Sequence, residues 1–291
     1  MYIPEKLHTD NSIAYQTGVQ LSAECVGFNE KGLTILVAGQ PETIPTEHIS
    51  ESFFKGCGKN VEAMLCVGKR VSFTYVDIDG TYVPSRYALQ KRVRHELLQK
   101  PCGTILKGVV TANAPFGLFV DIGGGLTGLV PLKYQTVHKT VPGELRFPIG
   151  STIYCVLHSK EGGKFTLATA PLLGTFKENI NKLSNTAMVG TVKHVEDYGV
   201  FVEIFPNLVG LTNDFAEQPD VKEGDKVVVG INSYCELNTK LRLSILSNAD
   251  ITGVEDVKHW SHLAKCDKIS SWWYNTADPD CNIRYVYNME E

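Results

Sequence analysis

Four aromatic residues carry the clearest chemistry in this sequence. Phe116 and Phe119 lie in the stretch GVVTANAPFGLFVDIGGGLTGLVP, residues 108–131. Tyr198 and Phe201 lie in GTVKHVEDYGVFVEIFPNLVGLTN, residues 190–213. In each stretch one ring precedes a glycine and a second ring follows that glycine by two residues. A strand through Leu118, Val120 and Ile122 turns those three side chains to one face and Phe119 with Asp121 to the other. Val200, Val202 and Ile204 do the same for Phe201. The first ring of each pair falls at the bend before Gly117 or Gly199. Two outward rings side by side form a platform on which nucleobases stack, at about 1–3 kcal/mol per base and with little regard to sequence. A single strand offers unstacked bases and a duplex does not.

Stacking alone leaves the phosphates unpaired, so cations are expected nearby, and binding should weaken as salt rises. Lys164 and Lys240 occupy matching places at the start of the strands KFTLA and KLRLS. Lys107 and Lys133 are further candidates in the first of the two stretches, and Arg242 in the second.

The elements that position these side chains come in copies. The two stretches align without a gap, 82 residues apart. Gly108, Val110, Gly117, Phe119, Val120, Ile122, Leu126, Gly128 and Leu129 recur as Gly190, Val192, Gly199, Phe201, Val202, Ile204, Leu208, Gly210 and Leu211. Such a repeat is read as duplicated architecture. Residues 101–171 supply five short strands: TILKGVVTAN, LFVDIG, LTGLVPL, RFPIGSTIYCVLHSK and KFTLAT. Residues 186–247 supply the same five. Five strands with Gly-rich turns in so short a span predict a small closed barrel, which leaves no sheet edge exposed. Residues 172–185 are read as an amphipathic linker helix, with Leu172, Phe176, Ile180 and Leu183 on one stripe.

Residues 1–98 read as a degenerate first copy with a helical end. LTILVAG and IPTEHI stand for its second and third strands, and VGKRVSFTYVDIDG with VPSRYALQKR for its last two. Both aromatic positions are lost there. The tail, 248–291, holds all three tryptophans, Trp260, Trp272 and Trp273. HWSHLAKCDKISSWWYN is read as one or two short helices and CNIRYVY as a strand at a barrel edge, the tail as a whole docking on a domain.

Net charge is −4, but it is unevenly spread. Residues 101–173 carry six Lys/Arg against three Asp/Glu, whereas residues 186–247 carry five against nine and the tail four against eight. Attraction for phosphate is therefore expected to concentrate in the middle unit. The eight cysteines are scattered without a C-x-x-C pair, which predicts buried thiols rather than a disulfide framework. No apolar run approaches the roughly 20 residues that span a bilayer. The opening residues lack a basic-then-apolar signal pattern, so a cytoplasmic location with no membrane partner is expected.

These residues resemble the S1 domain, an RNA-binding module. Its pattern runs G-x-V, an aromatic, Gly, a small residue, Phe-Val, a Gly-rich turn and G-L-V-H. G-V-V, F-G-L-F-V-D-I-G-G-G and G-L-V-P follow it here, as do G-T-V, Y-G-V-F-V-E-I and G-L-T-N. The resemblance implies a mainly β fold of tandem five-stranded OB barrels joined by short helices, with the aromatic-rich tail added. It assigns RNA stacking to Phe116, Phe119, Tyr198 and Phe201, and the basic position before the last strand to Lys164 and Lys240. The family histidine is replaced by Pro131 in one copy and Asn213 in the other. Asn213 can hydrogen-bond a base or sugar and Pro131 cannot donate, so little base selectivity is expected in the middle unit. Over its whole length the chain is similar to short three-repeat S1-like proteins, which implies single-stranded RNA, mRNA in particular, and the small ribosomal subunit as partners.

No carboxylate cluster, P-loop or nucleophile–base set stands out, so neither catalysis nor a cofactor is expected. His259, His262, Cys266 and Cys281 are the residues a zinc ion would need, but H-x-x-H followed by two lone cysteines is not a finger spacing. The second reading is a protein-interaction scaffold of OB barrels with weak or lost RNA binding. The acidic third unit and the missing histidine favour it.

Overall fold

The computed structural model describes residues 18–138, 147–183, 187–212, 221–249, 267–278, 281 and 283–287. Two compact units are distinguished, Met1–Gln99 with Ile122–Leu126, and Lys100–Asp121 with Thr127–Glu291.

The first unit is built on β1 (Leu21–Asn29), β2 (Gly32–Val37), β3 (Gln40–Pro45), β4 (Arg70–Ile78) and β5 (Thr81–Ser85), in the order β3-β2-β1-β4-β5. Cys25, Leu33, Ile35, Ile44, Phe73 and Tyr75 fill its interior. β3 lies against β5 without joining it in a ladder. Pro41 and Pro45 on one strand and Pro84 on the other have no N–H to donate, and proline is tolerated on such edges for that reason. Two short helices, α1 (Glu51–Phe54) and α2 (Asn60–Met64), join β3 to β4. Helix α3 (Arg86–Gln99) follows β5 directly, and the Ser85 hydroxyl caps it by accepting from the Ala88 N–H at 3.0 Å.

The second unit holds two closed barrels. One comprises β6 (Ile105–Ala114), β7 (Gly117–Asp121), β8 (Thr127–Pro131), β9 (Thr152–Ser159) and β10 (Thr166–Ala168), in the order β10-β8-β7-β6-β9. The next comprises β11 (Ala187–Glu196), β12 (Gly199–Phe205), β13 (Leu208–Thr212), β14 (Lys226–Cys235) and β15 (Lys240–Asn248), ordered β11-β12-β13-β15-β14. The two orders are the same circuit: each first strand sits between the second and the fourth, and a parallel contact joins the third to the fifth. That circuit is the closed barrel expected from the repeat and the five-stranded OB barrel that the resemblance implies.

The degenerate copy shares local devices with the other two. Each first strand carries a bulge, between Cys25 and Gly27, Val110 and Ala112, and Val192 and His194. The extra residue bends the strand and increases its twist, which is how a short sheet curls toward closure. Each second strand opens on a glycine, Gly32, Gly117 or Gly199. A Cβ there would fall under 3 Å from the carbonyl oxygen of Ile44, Val130 or Thr212. Only glycine lets the neighbouring third strand approach so closely.

The chain between the barrels makes a short 3-10 turn at Ala170–Leu172 and then α4 (Phe176–Ile180). A capping box starts α4, with Thr175 and Glu178 satisfying one another's backbone N–H groups. Leu172, Phe176 and Ile180 are buried, but the helix is confined to Phe176–Ile180, shorter than the 172–185 expected, and Leu172 lies in the 3-10 turn before it.

One residue gathers these pieces. Asn207, in the β12–β13 turn, is fully buried and adopts a left-handed φ of 66°. It aligns with Gly125, whose φ is 77°. Asparagine tolerates that conformation better than most side chains, and it adds an amide. Nδ2 donates to the carbonyls of Ala170 at 3.0 Å and Gly174 at 3.2 Å. Oδ1 accepts from the Val137 N–H at 3.0 Å, and its own carbonyl accepts from the Tyr274 hydroxyl at 2.6 Å.

The tail contributes a hairpin of β16 (Ser271–Trp273) and β17 (Arg284–Val286). Here the structure departs from the expected helix at SSWW and the expected barrel-edge strand at RYV. Alternation decides it: Trp272, Tyr274, Tyr285 and Tyr287 are all buried, and only paired extended strands send all four to one side. Asn207→Gly keeps the turn conformation but removes the partner of the Ala170 carbonyl and of the part-buried Val137 N–H, and one of the two donors to the Gly174 carbonyl. It is expected to cost about 2–3 kcal/mol in urea unfolding monitored by tryptophan fluorescence.

Candidate nucleic-acid interface

Both ring pairs sit where strand alternation sends them. Leu118, Val120, Val200 and Val202 are buried in the barrel interiors, while Phe119 and Phe201 lie half-buried on the outer faces. Phe116 is 58% exposed and Tyr198 60%. The Phe116 and Phe119 centroids are 5.9 Å apart with planes at 90°; those of Tyr198 and Phe201 are 6.1 Å apart at 87°. The rings therefore do not lie flat and side by side. Edge-to-face packing is the ordinary preference of two rings left to themselves. It turns the two π-faces of each pair in perpendicular directions.

A row of cross-strand neighbours leads from each pair toward positive charge. Phe201 is opposite Leu211, and Leu211 is opposite Arg242. Arg242 is exposed on this outer face, two strand spacings or about 10 Å from Phe201. Lys240, also exposed, precedes it by two residues on the same face. The middle barrel repeats the row as Phe119, Leu129 and Thr166, with exposed Lys164 two residues before Thr166. Lys164 and Lys240 thus hold equivalent positions.

Other predicted residues are not brought to the rings. Lys107 is exposed on β6 but pairs across to Tyr154, roughly 15 Å along the strand from Ala112, the neighbour of Phe119. Lys133 is exposed with its ammonium 4.6 Å from the centroid of the Tyr134 ring. Asn213 lies outside the described residues, as do His259, His262 and Cys266. Cys281 is half-buried with its thiol directed at the Ile283 carbonyl, 3.6 Å away. Cys25 and Cys155 are buried, and burial pushes the Cys155 thiol up to about 12; Cys57 and Cys235 are exposed instead.

The charge beside the two platforms differs. The position across from the second ring is Ala112 in the middle barrel and His194 in the third. His194 stands between carboxylates, its Nε2 2.8 Å from Glu196 and its Nδ1 2.5 Å from Glu223. Lys193, on the bulge, is 2.6 Å from Glu203 in a pair that is largely screened from solvent. A histidine at this place has no signal in the repeat, because its counterpart is alanine.

A second aromatic group lies where the tail hairpin docks. His158, at the end of β9, is 4.2 Å from the Tyr134 ring centre, 5.5 Å from Tyr285 and 5.7 Å from Tyr287. Its Nδ1 is 3.2 Å from the Tyr287 hydroxyl. Burial holds the imidazole below its ordinary value and Lys133 adds to this, with Glu161 pulling the other way. Burial likewise pushes Tyr285 up to about 12 and Tyr274 and Tyr287 higher still. The predicted docking of the tail's aromatics is thus visible in Trp272, Tyr274, Tyr285 and Tyr287, whereas Trp273 remains 44% exposed.

The strand circuits define tandem five-stranded OB barrels. Residues 100–161, the middle barrel up to the turn before β10, match the family model of the S1 RNA binding domain. Among curated proteins, the chain is 24% identical over 254 residues to the small ribosomal subunit protein bS1 of Leuconostoc lactis, covering 80% of this chain and 58% of that protein. It is 25% identical over 288 residues to the bS1 protein of Staphylococcus haemolyticus, covering 90% and 69%. The chain thus spans about three-fifths to two-thirds of the length of these relatives. Among solved structures, a multidomain protein with nucleic acid binding domains from Streptococcus pneumoniae aligns at 16% identity and a TM-score of 0.26, covering 82% of this chain and 77% of that one. No helix among the described residues is long and apolar enough to cross a membrane.

The half-buried imidazole beside Tyr287 is expected to make tail docking pH-dependent. His158 has a lower pKa folded than the 6.5 of the free side chain. Its contribution is fully present above 6.5 and is lost as pH falls through the folded value. Thermal unfolding followed by tryptophan fluorescence should show stability falling as pH drops below about 6.5. The slope should be shallower in His158→Asn.

Proposed function

We propose that this chain is a non-catalytic single-stranded RNA-binding protein in which the middle barrel makes the principal contact. The observation that carries the reading is the repeated ring pair. Two barrels with few shared residues outside the repeat hold an exposed ring and a half-buried ring at nearly equal separation and angle. Isolated exposed aromatics need no explanation, but the same costly exposure built twice at one structural position does. Phe116 and Phe119 receive bases, with Lys164 at the end of the cross-strand row taking phosphate. Tyr198 and Phe201, with Arg242 and Lys240, form the second contact, weakened by Glu196 and Glu223 around His194. Lys107 and Lys133 attract the strand from farther away, and Asn213 supplies a hydrogen bond that Pro131 cannot. The match of residues 100–161 to an RNA binding domain supports the same reading.

The relatives named for the small ribosomal subunit support an association with that subunit, and hence with mRNA during translation, in the cytoplasm. The competing reading is an OB-barrel scaffold for proteins, favoured by the carboxylates beside the third barrel's rings.

Phe116→Ala with Phe119→Ala should weaken binding of an unstructured RNA by about tenfold or more, the loss of one to two stacked bases. Tyr198→Ala with Phe201→Ala should weaken it less. Affinity of the intact protein should fall steeply between about 50 and 200 mM salt. Fluorescence anisotropy with labelled RNA reads all three. A salt-insensitive interaction, or none, favours the scaffold.

A further inference from the structure

The tail hairpin carries an aromatic that its docking does not use. Strand alternation sends Trp272, Tyr274, Tyr285 and Tyr287 inward and leaves Ser271, Trp273, Arg284 and Val286 on the outer face. Trp273 pairs directly across the ladder with Arg284. A large exposed ring and an exposed guanidinium are therefore neighbours on one small surface. Indole offers the largest stacking face of any side chain, and Arg supplies a phosphate ligand beside it.

This surface is held against the third barrel at a defined place. Two residues beyond Trp273, Asn275 donates from Nδ2 to the Leu237 carbonyl at 2.9 Å. Leu237 lies in the turn that joins β14 to β15. Lys240 and Arg242 stand just past that turn on the outer face, and Arg242 begins the row that runs through Leu211 to Phe201. Asn275 is buried and lies just past the end of β16, only two residues from the exposed Trp273, so the backbone carrying the indole is within about 7 Å of that anchor. The acid nearest the turn, Glu236, is answered by Lys177 at 3.8 Å. Phe201, Arg242, Lys240 and the Leu237 turn thus lead to Asn275, two residues along the chain from the Trp273–Arg284 pair.

We propose that Trp273 and Arg284 form an additional base-stacking and phosphate-binding position for single-stranded RNA, extending the track of the third barrel onto the tail. The proposal rests on the RNA-binding reading above. It also gives the tail a second role beside docking. A strand stacked on Tyr198 or Phe201 passes Arg242 and Lys240 and ends on the indole, so the site is reached only by an RNA long enough to cover the row.

The test uses the full chain and two labelled oligouridylates, one of about four nucleotides and one of about twelve, within the span of OB-fold site sizes. Trp273→Ala with Arg284→Ala should weaken the longer strand about fivefold or more and leave the shorter one unchanged. Trp273→Phe should retain most of the affinity, and Arg284→Glu should weaken the longer strand with the indole intact. Thermal unfolding of each variant separates lost contact from lost docking. If both Trp273→Ala with Arg284→Ala and Arg284→Glu bind the longer strand as the intact protein does, while Phe116→Ala with Phe119→Ala weakens it, the tail site is refuted and the platform reading stands. If the intact protein binds neither strand, both fall.

Discussion

The buried amide of Asn207 is the point on which the second unit depends. Four segments meet it: the chain after β8 through Val137, the interbarrel turn through Ala170 and Gly174, the tail through Tyr274, and its own turn in the third barrel. The bonds to Ala170, Gly174 and Tyr274 are buried and the one to Val137 is partly so. A buried carbonyl or N–H without a partner costs on the order of 1–3 kcal/mol, so the amide holds the segments in one arrangement. Apolar packing around it is non-directional and would tolerate sliding. The hydrogen bonds supply the register that the packing lacks, and the aromatic hairpin of the tail is fixed through the same residue.

That arrangement gives two barrels one geometry and two electrostatic characters. The bulge, the opening glycine and the outward ring are the same in both. The residues that differ lie at positions the fold leaves free. Thr111 and Ala112 become Lys193 and His194, and Ala114 becomes Glu196. Outer-face side chains are not constrained by the barrel interior, so charge can change there without disturbing closure. The middle barrel has an alanine across from its second ring, whereas in the third barrel carboxylates crowd the histidine at that place. Stacking is short-ranged and indifferent to such changes, but phosphate attraction is not, which is why equal geometry need not mean equal affinity.

The first unit shows what the architecture keeps when the surface chemistry is given up. Lys31 and Thr34 stand where the rings stand in the other copies, yet the bulge after Cys25 and the close approach at Gly32 persist. Closing devices survive because losing them breaks the fold. Rings do not survive because nothing in the barrel interior requires them.

The sequence by itself determined the barrels and the rings. Alternation in LFVDI and VFVEI places Phe119 and Phe201 outward, and the 82-residue repeat makes the second reading a check on the first. Lys164 and Lys240 were legible for the same reason, being fixed by strand register. The tertiary structure decided what register cannot reach. It set the rings of each pair perpendicular, turned Lys133 toward Tyr134, and surrounded His194 with carboxylates from two different segments. It also made a hairpin of two tail segments whose local patterns suggested a helix and a barrel-edge strand, because four of the five rings in SWWY and RYVY are buried together on one side. Local spacing fixes which face of a strand a side chain occupies; which other segment comes to meet it is settled only by how the chain closes on itself.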